Sequence, residues 1–288
     1  MRLVRAELLK MRRRTATYVT FAVALVLMVV LFLIAGAAGA FDISGLGLIE
    51  FPASYAFINE FCFGLGGLLA VVYAAVYVGA DWNWGVVRNV VARGESRTNY
   101  LLAKGVALAI VLAIAVVVMY AAGIATLYVV GWLFNVPVAS PLRANGLSDL
   151  LTNMLLGYPV MLERAALGFG VAVLLRSQIA GAVVGIVLFL GESIVRLILT
   201  GLALGGSVSA FGDNGFVQKG PEWFQYLPIS VGDYVINSAP GNSLSIGGGL
   251  EQFVLRPVPL PEALIAVFIY LALATLVGVV AINRQEIA

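Results

Sequence analysis

The apolar positions of this chain gather into long runs separated by short polar segments. A helix crossing a bilayer needs about 20 predominantly apolar residues. Six stretches reach that length: about Tyr18–Ala40, Phe57–Val78, Leu101–Trp132, Leu150–Leu175, Ile179–Leu204 and Pro261–Ile282. The third is long enough to tilt or to run past the hydrocarbon. The predicted fold is an all-α integral membrane protein, with six transmembrane helices in one domain spanning residues 1–288.

Composition supports that pattern. Of 288 residues, 61% are hydrophobic and 11% charged, where a soluble chain has about 45–50% and about 25%. The bilayer must therefore solvate much of the surface. There is no His, and the one Cys, Cys62, lies inside an apolar run. A thiol–imidazole metal site and an intrachain disulfide are excluded, and Cys62 reads as packing. No Gly precedes Lys-Ser or Lys-Thr, so the chain has no nucleotide-binding P-loop. His-dependent catalytic triads are excluded too.

Lys and Arg set orientation through their bias in short flanks. Arg2, Arg5, Lys10, Arg12, Arg13 and Arg14 precede the first span. Arg88, Arg93, Arg97 and Lys104 lie between the second and third, Arg176 between the fourth and fifth, and Arg284 after the sixth. The opposite connections are poor in cations, so both termini are expected in the cytoplasm. The basic start is long, and the following run exceeds the 7–15 or so residues of a signal core, so it reads as a retained first span. Within residues 1–15, Val4, Leu8 and Met11 share one face of a helix, a pattern that suits an interfacial amphipathic helix on membrane lipids. Residues 205–260 are rich in Gly and Pro yet carry Trp223, Phe224, Tyr226, Leu227, Ile229 and Tyr234. They read as short or re-entrant helices at the outer face, with aromatic residues at headgroup level.

The connection between the second and third spans, about residues 80–100, is the most informative. Val86, Val87, Val90 and Val91 fall on one face of a short helix, with Arg88, Asn89 and Arg93 elsewhere. Gly94 can end that helix, and Ser96 or Thr98 can cap the next. A short helix held between two spans is a lever that a partner can push. The run Asp81, Gly85, Arg88, Val90-Val91, Arg93-Gly94, Ser96-Arg97 and Lys104 resembles the first cytoplasmic connection of ABC-2-type transporter permeases. So do Glu7-Leu8-Leu9-Lys10 and Tyr226-Leu227-Pro228, although Val86 stands where that family usually has Thr. The resemblance implies that Asp81, Trp84, Gly85, Val87, Arg88, Asn89, Val91, Arg93, Gly94, Ser96 and Arg97 form the segment coupled to a separate ATPase. It further implies two cytoplasmic ATP-binding cassette ATPase subunits holding ATP and Mg, and a second copy of this permease or a paralogue. No cofactor is expected in this chain, and no nucleic acid.

Ionisable residues inside spans are costly and functional by default. Glu163 and Arg164 lie in the fourth span, Glu192 and Arg196 in the fifth. Glu192 and Arg196 are placed to pair at i, i+4, on a stripe with Gly181 and Gly185. Arg164, Gly168 and Ala172 make a similar stripe, and small residues let helices approach closely. These four charges are expected to form a cross-helix network near a translocation pathway, or to fix helix packing. The expected function is the permease subunit of an ATP-driven exporter in the plasma (inner) membrane. The alternatives are a membrane-embedded enzyme, such as a lipid-modifying one, or a channel subunit without an ATPase.

Overall fold

The computed structural model describes residues 2–37, 51, 54–135, 138, 140, 146–207, 222–242 and 258–284. Helices make up nearly all of them, in the order α1 (Arg2–Arg13), α2 (Thr15–Ala37), α3 (Ser54–Asn59), a π-helical stretch (Glu60–Leu65), α4 (Gly66–Asn83), α5 (Val86–Ala92), α6 (Arg97–Leu133), α7 (Gly146–Leu175) and α8 (Gln178–Ser207). A 3₁₀ turn (Glu222–Tyr226), α9 (Pro228–Asn237) and α10 (Leu260–Arg284) follow. Six helices are long and apolar enough to cross a membrane: Thr15–Ile34, Ser54–Asn83, Arg97–Leu133, Gly146–Leu175, Gln178–Leu199 and Leu260–Arg284. Ser54–Asn83 joins α3, the π-helical stretch and α4 into one rod.

α4 and α7 are the centre of the bundle. In each, 61% of the most apolar window is buried, against 17% in α8. α2, α8 and α10 form an outer ring whose Val, Leu and Ile side chains are exposed, the pattern of helices solvated by lipid. Backbone contact is closest where side chains are missing. A Cβ on Gly168 of α7 would collide with the Val71 backbone of α4, and one on Gly79 would lie 2.5 Å from the Gln178 backbone at the start of α8. Gly181 meets Ala172 in the same way. The small-residue stripes of the fourth and fifth spans therefore face protein.

α5 sits outside the spans between two turns. Gly85 (φ 66°) and Gly94 (φ 85°) bound it, both in the left-handed region open to glycine at little cost. Ser96 accepts the Asn99 N–H at 3.1 Å and caps α6. Thr98 instead hydrogen-bonds Asn283 near the end of α10. α1 lies against α6 with Met11 buried and Val4 and Leu8 packed on the core, while Arg2, Arg5, Arg12 and Arg13 are exposed. The connections at 38–50, 141–145, 208–221 and 243–257, which make up most of the cation-poor side of the orientation signal, lie outside the described residues.

Candidate functional site

Two layers of polar and charged side chains sit at opposite ends of the bundle. The rod from Glu60 to Asp81 rises about 30 Å at about 1.5 Å per residue, which is the thickness of the hydrocarbon core.

The first layer lies beneath α5. Its centre is Asp81, at the end of α4 and fully buried. Asp81 accepts from Lys10 of α1 at 2.6 Å and from Lys104 of α6 at 2.5 Å, and also from the Tyr100 hydroxyl. Arg14, between α1 and α2, approaches to 3.5 Å. Lys104 also reaches Glu7 of α1 at 3.1 Å, and the Tyr77 hydroxyl donates to that carboxylate at 2.7 Å. The Lys104 ammonium lies 4.0 Å from the centre of the Tyr77 ring, an attractive geometry for a desolvated cation. Three cations thus meet two carboxylates, and α1, α4 and α6 are fastened at one point with Arg14 at the head of α2.

Above this layer, the α5 segment presents a surface. Trp84 is 72% exposed, with the Arg14 guanidinium 5.7 Å from its ring. Asn89, Arg93, Gly94 and Ser96 are exposed, and Val87 is buried beneath them. Val86 and Val90 are half-buried, in line with the expected apolar face, and Arg97 donates to the Ile282 carbonyl at 3.4 Å. The side chains of Arg88 and Val91 lie outside the described residues. Asp81 is not part of this surface: it is the buried root of the segment.

The second layer surrounds α9. This helix is too short to cross a membrane, yet Val231 and Val235 are fully buried against α7, α8 and α10. Pro228 opens it at the first helical position, where a missing N–H costs nothing. Glu192 of α8 accepts the Ser230 N–H at 2.6 Å and so caps the helix from a neighbouring span. Asp233, one turn further, receives Arg164 of α7 at 2.5 Å and also Arg196 of α8. Burial pushes the Asp233 carboxyl up, but the two guanidinium groups outweigh it and hold it below the ordinary carboxylate range. Arg164, fully buried, also donates to the Phe63 carbonyl in the π-helical stretch. A neighbouring amide cluster joins α3, α7 and the turn that follows α9: Asn59 donates to Asn153 at 2.6 Å, and Asn242 does so at 3.2 Å. A cavity of about 400 Å³ opens between the π-helical stretch, α8 and α9, lined by Glu60, Arg196 and Asp233 among others.

Arg164, Glu192 and Arg196 therefore come together, but around α9. Glu163, beside them in sequence, is fully buried with neither carboxylate oxygen hydrogen-bonded among the described residues. Reading the chain without its structure misses Asp233, Glu60, Glu7 and the amide cluster. Glu7 is the sole acid in a run of cations, and Glu60 is an ionisable residue inside a span; both are signals of the kind that pointed to Arg164. Asp233 gives no such signal, because it lies in the Gly- and Pro-rich segment.

Six apolar helices with these two polar layers define a multi-pass helical membrane protein. Over residues 20–288 the chain matches the family described as "Protein of unknown function (DUF2705)", and it belongs to that family. No curated protein matches it.

Proposed function

We propose that the chain is the membrane-spanning permease subunit of an ABC-2-type transporter. It sits in the plasma (inner) membrane with both termini in the cytoplasm and works with two separate cytoplasmic ATPases and a second permease. The observation that carries this reading is the mechanical link from α5 to the bundle. α5 and its flanking turns present Trp84, Asn89 and Arg93 outward, and a large exposed aromatic beside cations is the makeup of a protein-contact hot spot. At its root, Asp81 binds Lys10 and Lys104, so a push on α5 reaches α1, α4 and α6 through buried ion pairs. Closure of the ATPases on ATP and Mg would rock these helices together and alternate access to a pathway between the two permeases, with export as the direction.

The test is co-purification. A tagged chain extracted in mild detergent is expected to bring down a soluble ATPase at stoichiometric level, and Trp84→Ala with Arg93→Glu is expected to release it without lowering the chain's own thermal midpoint. Absence of any ATPase at that level sinks the proposal.

A further inference from the structure

We propose that the cavity between the π-helical stretch, α8 and α9 binds a lipophilic organic cation, with Glu60 as its counter-ion. Glu60 lies within a membrane-spanning rod and is exposed, and it makes no hydrogen bond or ion pair with any described residue. Glu60 sits near the edge of the hydrocarbon core, where a carboxylate on a spanning helix is costly against lipid and turns to a cavity, and Glu60 lines this one. The arginines nearby are already committed. Both guanidinium groups are bound to Asp233, and Arg164 also serves the Phe63 carbonyl. Glu192 is taken up by the N-terminus of α9. Of the ionisable residues that line the cavity, Arg164, Arg196 and Asp233 bind one another, which leaves Glu60 as the carboxylate that forms no ion pair with a described residue.

Shape agrees with charge. About 400 Å³ is within the range of small-molecule sites. Leu65, Leu68, Phe189 and Ile229 give the cavity apolar walls, and Asn59 and Asn237 add amide groups. The π-helical turn aims the carboxylate. A Cβ on Gly64, which also lines the cavity, would lie 3.1 Å from Glu60 Oε1, so the carboxylate folds over the bare glycine. Widened helical turns of this kind gather at functional sites. An amphipathic ammonium or phosphonium would bury its body among the apolar walls and place its charge at Glu60. The site is complete within one chain. Only its role as a cargo site rests on the transporter reading.

The test uses the purified full chain in detergent and two probes of matched shape and opposite charge, radiolabelled tetraphenylphosphonium and tetraphenylborate. One saturable phosphonium site per chain is expected, not displaced by the borate. Glu60→Gln should weaken it about tenfold or more, the size of one lost charge-assisted contact, while Glu60→Asp should stay within a few-fold of the parent. Because Glu60 makes no hydrogen bond or ion pair with a described residue, Glu60→Gln should keep its thermal midpoint. Absence of saturable binding, equal affinity in Glu60→Gln, or equal displacement by tetraphenylborate overturns the proposal. So does a Glu60→Gln chain that changes oligomeric state while still binding the phosphonium. Because the binding is measured without any ATPase, a failed co-purification leaves it standing.

Discussion

Removing the charge of Asp81 should hurt far more than removing the charge of Lys104, although the two form one ion pair. The charge count of the first layer decides this. Lys10, Arg14 and Lys104 face Glu7 and Asp81. Asp81→Asn leaves three cations against Glu7 alone, and Lys104, whose side chain is 1% exposed, keeps a single carboxylate contact at 3.1 Å. Stranding a buried charge by deleting its partner costs about 3–5 kcal/mol. With Asn preserving the volume, about 3 kcal/mol is expected. Lys104→Met leaves two cations against two carboxylates, and Asp81 retains Lys10, Arg14 and the Tyr100 hydroxyl. The losses are the ammonium over the Tyr77 ring, about 0.5–2 kcal/mol, and its ion pairs with Asp81 and Glu7, offset by no longer desolvating Lys104. About 1 kcal/mol is expected. In the double variant the stranded ammonium is gone, so the total should fall below that of Asp81→Asn by about 1 kcal/mol or more, a coupling outside ordinary additivity error. The assay is reversible unfolding in mixed micelles followed by tryptophan fluorescence, with Trp82 and Trp84 flanking the site. A Lys104→Met cost equal to that of Asp81→Asn, or plain additivity in the double variant, would refute the reasoning.

Three further outcomes follow from the same geometry. Asp233 is held below the ordinary carboxylate range, so its pairing contributes stability above the unfolded value of about 3.9 and loses it only as pH falls through the still lower folded value. Amide-exchange protection of α9 relative to α7 should therefore persist from pH 7 to about pH 4, and loosening already at pH 5–6 would contradict this. Glu192→Gln replaces a charged cap with a neutral one, so exchange at Ile229 and Ser230 should quicken by roughly tenfold while the bundle stays assembled; unchanged exchange would show that the cap is idle. Gly85→Ala and Gly94→Ala force a Cβ into the left-handed region at about 1 kcal/mol each, yet no neighbouring atom obstructs either. They should lower the thermal midpoint only slightly and reduce ATPase capture in the co-purification assay. Intact capture would mean that α5 need not keep its pose.

The spans were legible because a bilayer imposes one pattern, long apolar runs, that needs no partner to be recognised. A cap at Ser96 or Thr98 and the break at Gly94 were legible for a similar reason: each is settled within one turn of the chain. The small-residue stripe through Arg164, Gly168 and Ala172 gave the packing face of α7, although not the partner, which is Val71 of α4. What stayed hidden depends on distance along the chain. Lys10 and Arg14 look like part of a topology signal until α4 places Asp81 beside them, and Arg164 and Arg196 look like partners for their neighbours until α9 offers Asp233. The i, i+4 spacing of Glu192 and Arg196 permits a pair, yet Glu192 accepts from α9 and Arg196 reaches Asp233 on the same helix. A π-helical stretch at Glu60–Leu65 has no period of its own in the sequence, because one widened turn hardly changes the run of apolar residues.

The layer around Asp81 also bears on how the chain is made. Its charges come from α1, α4, α6 and the joint before α2, so no early segment of the nascent chain holds the complete set of partners. When α4 emerges from the ribosome, Asp81 meets Lys10 and Arg14, but Glu7 and Tyr77 still await the ammonium of Lys104. The first three spans thus have reason to leave the insertion machinery as a block rather than singly. A chain truncated before Lys104 should linger at the translocon, where one truncated after α6 should pass into the bilayer.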